Sequence, residues 1–254
     1  MNFNERNVLV TGGGRGIGLG IVRAFLESGA NVVFVDYDEQ LGREAESRLR
    51  QEHARVHFVA ADVGRFESCQ AAYECAASLI GPIDTLVNNA GISPKTNGRG
   101  VAVDEMDVDE WRRVVDVNLN GIFYFAKLAV PAMKRARFGR IVSMSSVAGK
   151  AYLDVCAVHY AATKAAVIGL TRQLAGELGP FGINVNAIAP GRIDTEMVAV
   201  AGAATNAAYV AQTPLQRLGT TREVASLSLY LASKEEAGFV TGQVVDVAGG
   251  WLMT

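Results

Sequence analysis

Tyr160 and Lys164 stand four positions apart in Tyr160-Ala161-Ala162-Thr163-Lys164. On a helix that spacing puts a phenol and an ammonium on one face. A free phenol titrates near ~10, too high for acid/base work at neutral pH. A cation beside it favours the phenolate and brings the group toward operating pH. Lowering the value by about 2 to 3 units corresponds to roughly 3 to 4 kcal/mol of differential stabilisation. The pair therefore predicts proton exchange with an oxygen. Alone it is weak, because structural helices often carry a tyrosine and a lysine at this spacing.

A second cluster lies near the start of the chain, in Thr11-Gly12-Gly13-Gly14-Arg15-Gly16-Ile17-Gly18. It follows an apolar strand-like run and leads into an amphipathic helix. Glycines let the backbone turn tightly and approach a pyrophosphate, and the helix N-terminus offers free N–H groups to it. The strict G-x-G-x-x-G spacing is absent; what stands here is T-G-x-x-x-G-x-G. Gly12, Arg15, Gly16, Ile17 and Gly18 are the residues expected around a dinucleotide. About 20 residues further on, Asp36 ends a second strand, where a carboxylate accepts hydrogen bonds from ribose hydroxyls and repels a 2′-phosphate. Asp36 thus favours NAD over NADP, although a cap for the helix after Tyr37 would need the same residue type. Arg15 argues the other way, since a cation in the turn pairs with a phosphate.

Both clusters need elements to hold them. Short β-branched runs predict strands at Asn7–Thr11, Asn31–Asp36, Val56–Ala60, Thr85–Asn88, Arg140–Ser145, Ile183–Ile188 and Gln243–Val247. Amphipathic stretches predict helices near Gly18–Ser28, Glu39–Glu52, Glu67–Leu79, Val108–Met133, Ala157–Leu178 and Arg222–Ala232. Gly29, Gly81, Gly139 and Gly179 or Gly182 stand where helices should stop. Strands that are apolar almost throughout are covered on both faces. The expectation is an α/β fold: one doubly wound parallel sheet of Rossmann type, three layers, a single domain over 1–254. Segments Ile92–Asp107 and Gly191–Thr213 resist assignment. Both follow strands at the carboxyl edge of the sheet, where ligands bind, and the second is expected to cover a substrate.

With 50% hydrophobic and 20% charged residues, the chain has the composition of a globular protein with a large core. A formal net charge of −2 without a long basic run speaks against nucleic acid and anionic membrane as partners. The basic cluster from Lys134 to Arg140 falls at a predicted helix end, where it suits the helix dipole. Cys69, Cys75 and Cys156 show neither metal spacing nor a paired framework, which suits a reducing compartment. No metal site is expected. The first residues lack an apolar signal core and no run is long enough to span a bilayer, so a soluble, cytoplasmic protein is expected.

Further motifs stand in order along the chain: Asn88-Asn89-Ala90-Gly91, Asn118-Leu119-Asn120-Gly121, Ser145-Ser146-Val147-Ala148-Gly149, and Pro190-Gly191-Arg192-Ile193-Asp194-Thr195. With the glycine turn and the Tyr/Lys pair, the chain resembles the classical short-chain dehydrogenase/reductase (SDR) family over essentially its whole length. The resemblance implies that Tyr160 is the general acid/base and that Lys164 binds the nicotinamide ribose and lowers the tyrosine pKa. It implies that Ser146 holds the substrate oxygen and that Asn118 anchors a water relaying protons from Lys164. Asp62 and Val63 would flank the adenine, Asn89 would line the cofactor, and Ile193 and Thr195 would grip the carboxamide. Ser146 and Tyr160 are fourteen positions apart, one more than is commonest in the family. The extra residue should loop out within Lys150–Val158. Ser145 is the alternative to Ser146, but the Ser-x-x-Gly framing that ends at Gly149 selects Ser146.

Other residues carry weaker claims. Cys156, one turn before Tyr160, has no base placed for it and reads as lining or packing. His159 reads as a cap or surface residue, since neighbouring helical positions point apart. Lys95 and Arg99 read as solvated, with contact to an anionic or polyhydroxylated substrate as the alternative. Trp251 reads as an interface or core aromatic.

The expected reaction is hydride transfer between NAD(H) and a secondary alcohol or ketone, with a sugar, polyol or other small alcohol as substrate. The alternatives are an NADPH-dependent 3-oxoacyl-[acyl-carrier-protein] reductase and a non-catalytic, nucleotide-binding relative. Asp36 weighs against the first, and the net charge gives no support to the basic docking surface it would use. The joint presence of phenol, ammonium and serine weighs against the second. The resemblance also implies a homotetramer. Ile122, Phe123, Phe125, Ala126 and Leu128 surround their helix with apolar residues, and the tail Gly249–Thr254 is expected at a second interface.

Overall fold

The first four strands stand where their β-branched runs lie: β1 Asn7–Thr11, β2 Asn31–Asp36, β3 Val56–Ala60 and β4 Thr85–Asn88. The last three, β5 Gly139–Met144, β6 Ile183–Pro190 and β7 Val244–Val247, differ from expectation by one or two residues at their ends. The computed structural model describes residues 1–96, 98–199 and 202–253. Asn97 of the first unassigned segment, Val200 and Ala201 of the second, and Thr254 of the tail lie outside the described residues.

All seven strands pair in parallel, in the order β3-β2-β1-β4-β5-β6-β7. Val8 is in register with Val32 on one side and with Thr85 on the other. The chain winds outward from β1 to β3, then starts again at β4 in the opposite direction. That reversal opens a crevice at the carboxyl ends of β1 and β4, the position where such sheets bind ligands. No helix among the described residues is long and apolar enough to cross a membrane.

Helices cover both faces, which completes the doubly wound, three-layer fold expected from the sequence. On one side lie α1 Gly16–Glu27 and α9 Thr221–Ala232, packing Ile21, Phe25 and Leu231 against Val8, Val10 and Phe34. On the other lie α3 Phe66–Ile80, α5 Gly121–Ala136 and α6 Val158–Leu178, packing Phe125, Met133 and Leu178 against Leu9, Val33 and Ile141. Successive β1 residues thus serve opposite cores, as the two-residue repeat of a strand requires. Helix α2, Glu39–Arg50, closes the first side beyond β2, with Asp38 as its N-cap through a 3.0 Å bond from the Leu41 N–H. That cap is Asp38 and not Asp36, so Asp36 is left to face the crevice.

Two expectations are corrected. The single helix expected over Val108–Met133 is broken: α4 Val108–Val115 and α5 are joined by a π-helical turn at Asp116–Asn120. The wider turn lets Asn118 reach into the sheet edge, where its amide accepts from Ile92 N–H at 2.8 Å and donates to Ile92 C=O at 2.9 Å. Widened turns of this kind concentrate at functional sites. Nor is Gly139 a helix cap. Arg137, with φ of 55°, ends α5, while Gly139 opens β5 where a Cβ would stand 2.6 Å from Met133 Sδ.

The alanine-rich segment that resisted assignment holds two short helices, α7 Glu196–Ala199 and α8 Ala203–Gln212. Alanine's helix propensity gave no amphipathic stripe to read. The earlier loop folds back on itself through a bridge between Thr96 and Arg99. It presses Gly100 against the start of α6, where a Cβ would meet Ala157 N at 2.2 Å.

Candidate active site

Strand β5 ends at Met144, and the next two serines diverge in role. Ser145 Oγ donates to the Lys164 carbonyl at 2.8 Å, fastening the strand to α6. Ser146 Oγ accepts from Ala148 N–H at 3.1 Å and is hydrogen-bonded to Tyr160. The two serines therefore have different partners, and Ser146 is the one that faces Tyr160. Gly149 explains that framing: a Cβ there would lie 2.6 Å from the Lys164 carbonyl carbon. Only a glycine lets the strand exit pack this closely on α6. The chain then loops through 150–157 before α6 starts at Val158.

Lys164 points down the same face of α6 and is 3% exposed. Its ammonium donates to the Met144 carbonyl at 2.7 Å and lies 5.6 Å from the centre of the Tyr160 ring. Gly91 brings this site to Asn118: a Cβ there would touch both Asn118 Oδ1 and Lys164 Nζ at 3.4 Å. Ser146, Tyr160, Lys164 and Asn118 are thus brought together. Asn118 uses both ends of its side chain on Ile92, with Nδ2 also 3.4 Å from Thr163 Oγ1, which leaves its main chain as the ready anchor for a water.

The electrostatics differ from expectation. Burial pushes the Tyr160 phenol up to about 12, with Cys156 adding and the Ser146 hydrogen bond opposing. Burial also pushes the Lys164 ammonium down to about 8. Burial thus works against both the phenolate and the ammonium that would hold it. The lowered tyrosine pKa expected from the resemblance therefore needs a further positive charge.

The active groups face a cavity of about 440 Å³ that runs from Tyr160 past the glycine turn to Asp36 and Asp62. Gly12 has φ of 64°, and a Cβ on Gly18 would stand 1.9 Å from the Gly12 carbonyl, so the turn folds onto the first turn of α1. Helix α1 begins with no side-chain cap and no acidic residue in its first turn. By contrast, α9 has a complete Thr220/Glu223 capping box. Uncapped N–H groups on a cavity wall suit an anion. Asp36 accepts from Gly14 N–H at 3.0 Å and from Asp38 N–H at 3.2 Å. A carboxylate has about four lone-pair sites, so two remain for ribose hydroxyls. Arg15 extends to Glu196 of α7, 3.5 Å away across the cavity mouth. The residues present fit a dinucleotide.

Several of the predicted residues also make contacts that the sequence does not show. Asn89 lines the cavity, yet its amide donates to the Thr11 and Gly12 carbonyls at 3.0 and 2.9 Å and so holds the glycine turn. Asp62 is paired with Arg113, both carboxylate oxygens at 3.0 Å from Nη1. Arg113 also lies over the Tyr37 ring, 5.7 Å from its centre. Val63 and Ile193 line the wall, and Thr195 faces Gly16 with its methyl 3.5 Å from a Cβ there. Sequence reasoning missed Thr11 and Arg113. The Thr11 hydroxyl accepts from the N–H groups of Asn89 and Ala90, both at 3.0 Å.

His159 is not a surface residue: it is fully buried, 2.9 Å from Glu110 of α4. Lys95, expected in solvent, lines the cavity, and burial lowers its pKa. Cys156 also lines it, its thiol pushed up by burial and so not a ready nucleophile. Trp251 stacks on Tyr209, ring centres 5.2 Å apart. No group of three or more His, Cys, Asp or Glu among the described residues could hold a metal.

A family model described as enoyl-(acyl carrier protein) reductase matches residues 12–252. The chain is 37% identical over 247 residues to a 3-oxoacyl-[acyl-carrier-protein] reductase of Chlamydia muridarum, covering 97% of each chain. It is 39% identical over 252 residues to a trans-4-hydroxycyclohexanecarboxylate dehydrogenase of Sinomonas cyclohexanicum, covering 97% of this chain and 92% of the relative. A solved 3-oxoacyl-[acyl-carrier protein] reductase from Brucella melitensis with bound NAD superimposes with a TM-score of 0.92. It shares 49% identity and spans 99% of this chain and 92% of that one.

Proposed function

Because the chain belongs to the short-chain dehydrogenase/reductase family of oxidoreductases, we propose that it transfers hydride between NAD(H) and a small secondary alcohol or ketone, with Tyr160 as acid/base. The observation that carries this reading is the convergence of Ser146, Tyr160 and Lys164 at one end of the crevice. Bound NAD⁺ supplies the hydride acceptor. In oxidation the carbinol C–H bond gives up its electron pair with the hydrogen, the O–H proton passes to the Tyr160 oxygen, and a C=O bond forms. Ser146 donates to the reacting oxygen and holds it at the phenol. Lys164 stands behind Tyr160 and is placed to hydrogen-bond a ribose. The main chain of Asn118 anchors the proton path toward solvent. Helices α7 and α8 cover the substrate.

NAD preference rests on Asp36, and the bound NAD of the Brucella relative supports it. A 2′-phosphate beside this carboxylate meets like charge in a partly buried site. Wild-type kcat/KM should be higher with NAD⁺ than with NADP⁺, and Asp36→Ala should raise use of NADP⁺. Greater efficiency of the wild type with NADP⁺ would show that Arg15 outweighs Asp36.

A second reading is reduction of a 3-oxoacyl thioester, supported by the names of the Chlamydia and Brucella relatives. Steady-state assays separate the two: acetoacetyl thioesters with NADH and NADPH against a panel of secondary alcohols with NAD⁺. The first reading expects the alcohol panel to contain the better substrate.

We further expect a homotetramer. Phe123 of α5 is 50% exposed beside buried Ile122, its ring met by Tyr124 at a centre distance of 6.0 Å. The hypothesis is that the exposed faces of α5 and α6 pair with those of a second copy. Light scattering at micromolar concentration should give a mass about four times 27.0 kDa. A monomer mass would refute this.

A further inference from the structure

The substrate end of the cavity carries positive charge that no carboxylate among the described residues meets within 4 Å. Arg192, directly after the β6 strand end, is 9% exposed. Its Nε donates to Asn206 Oδ1 of α8 at 2.7 Å, and its guanidinium lies over the Tyr209 ring, 5.6 Å from the centre. Its Nη2 is buried and donates to nothing among the described residues. A buried guanidinium N–H without an acceptor is costly, and such groups in native proteins need an explanation.

Arg192 does not stand alone. Lys95 lines the same cavity from the loop after β4, and Cys156 lines it too. Burial and Arg192 both work against the Lys95 charge. Among the described residues no carboxylate lies within 4 Å of either cation. Asp154, whose charge reaches Arg192, is exposed to solvent. Tyr209 adds a third donor on this wall: its buried hydroxyl sits beside the Arg192 main-chain N–H and donates to nothing among the described residues. The stack on Trp251 fixes its ring. Leu153, Val155 and Val198 line the rest of this end and leave it otherwise apolar.

We propose that Arg192, Lys95 and Tyr209 form a carboxylate-binding subsite, and that the substrate is therefore a hydroxy acid or oxo acid whose reacting carbon lies between that carboxylate and Tyr160. This rests on the reading of Tyr160 as acid/base, and it replaces a broad class of small alcohols by one with a defined anionic end. A planar guanidinium with a free N–H is suited to a carboxylate, and the pairing gives Nη2 the acceptor it lacks. A neutral polyol or thioester at this end would leave both cations unpaired and so be bound less well. The carboxylate takes no part in the redox step; it orients the carbinol.

The test uses the full chain with NAD⁺ and three matched pairs: 3-hydroxybutanoate and its methyl ester, trans-4-hydroxycyclohexanecarboxylate and its methyl ester, and D-gluconate and D-glucitol. At least one acid should exceed its neutral partner by about 10-fold or more in kcat/KM, mainly through KM. Arg192→Met should collapse that ratio toward one, Lys95→Met should lower it, and Arg192→Lys should restore part of it. A loss shared equally by both members of a pair would make Arg192 structural and overturn the proposal. Neutral members matching the acids, or glycerol 3-phosphate outperforming them, would do the same while leaving Tyr160 chemistry intact. Calorimetric titration of the acids into NAD⁺-loaded Tyr160→Phe protein reads the subsite without turnover. Acid-selective binding there, with no turnover of any compound by the wild type, would keep the subsite and discard the hydride-transfer reading. Failure of every acid to bind in preference to its partner would discard the subsite.

Discussion

Tyr160→Phe is expected to lower turnover by about 10² to 10⁴ while leaving NAD(H) affinity nearly unchanged. The substitution removes one oxygen and keeps the ring. That oxygen is the acidic group hydrogen-bonded to Ser146, with the Lys164 ammonium behind the ring. Nothing else near it is placed to take the proton. Cys156, one turn earlier on the cavity wall, has its thiol pushed up by burial. His159 points away into a pair with Glu110. The glycine turn, the start of α1 and Asp36 are untouched by the change, so dinucleotide affinity measured by fluorescence titration should hold. Near-normal turnover by the Phe variant on the true substrate would mean that a water or another group carries the proton. Ser146→Ala should cost less, because the phenol can still hold the substrate oxygen.

How far the sequence was legible depended on the length scale of each signal. Strands β1 to β4 were readable to the residue because fully buried parallel strands are continuous β-branched runs with sharp polar ends. The Tyr/Lys pair and the glycine turn were readable because both are local patterns fixed by helix and turn geometry. What escaped depended on contacts between distant segments. The π-helical turn at Asp116–Asn120 follows from Asn118 reaching Ile92, a pairing 26 residues apart that periodicity cannot show. Arg113 and Thr11 serve partners 51 and 78 positions away. Lys95 looked solvated because its loop lacks a pattern, yet the fold turns that loop over the cavity. The alanine-rich stretch after Gly191 concealed α8, because a helix without a buried apolar stripe has no period to detect. The sequence also placed Lys164 beside Tyr160 without showing the burial of both groups. That burial raises the phenol and lowers the ammonium in the protein alone.

The burial of the pair bears directly on the result expected for Lys164→Met. Alcohol oxidation needs an acceptor for the hydroxyl proton, so the protonated phenol is inactive and acid should suppress the reaction. The rate should therefore rise with pH through an apparent pKa and level off above it. In the protein alone burial holds Tyr160 up at about 12 and Lys164 down at about 8. The two sit together and lose protons as a pair, so the first apparent value belongs to both. Once the first proton has left, the productive arrangement is phenolate beside ammonium, and the positive nicotinamide ring of bound NAD⁺ favours it further. Methionine keeps the bulk of the lysine stem and removes the charge, leaving the buried phenol to titrate by itself. The limb in kcat/KM should then move upward toward the value set by burial. A shift of about 2 units lowers oxidation near neutral pH about 100-fold. Affinity for NAD⁺ should also fall, because the same ammonium is placed to hold its ribose. Ketone reduction, which draws on the protonated phenol, should suffer less at low pH. The measurement is the pH profile of kcat/KM for oxidation in both proteins, with calorimetry for NAD⁺. An unshifted limb in a variant that still turns over would assign the tuning of Tyr160 to the nicotinamide charge and the surrounding dipoles, and leave Lys164 with the ribose alone.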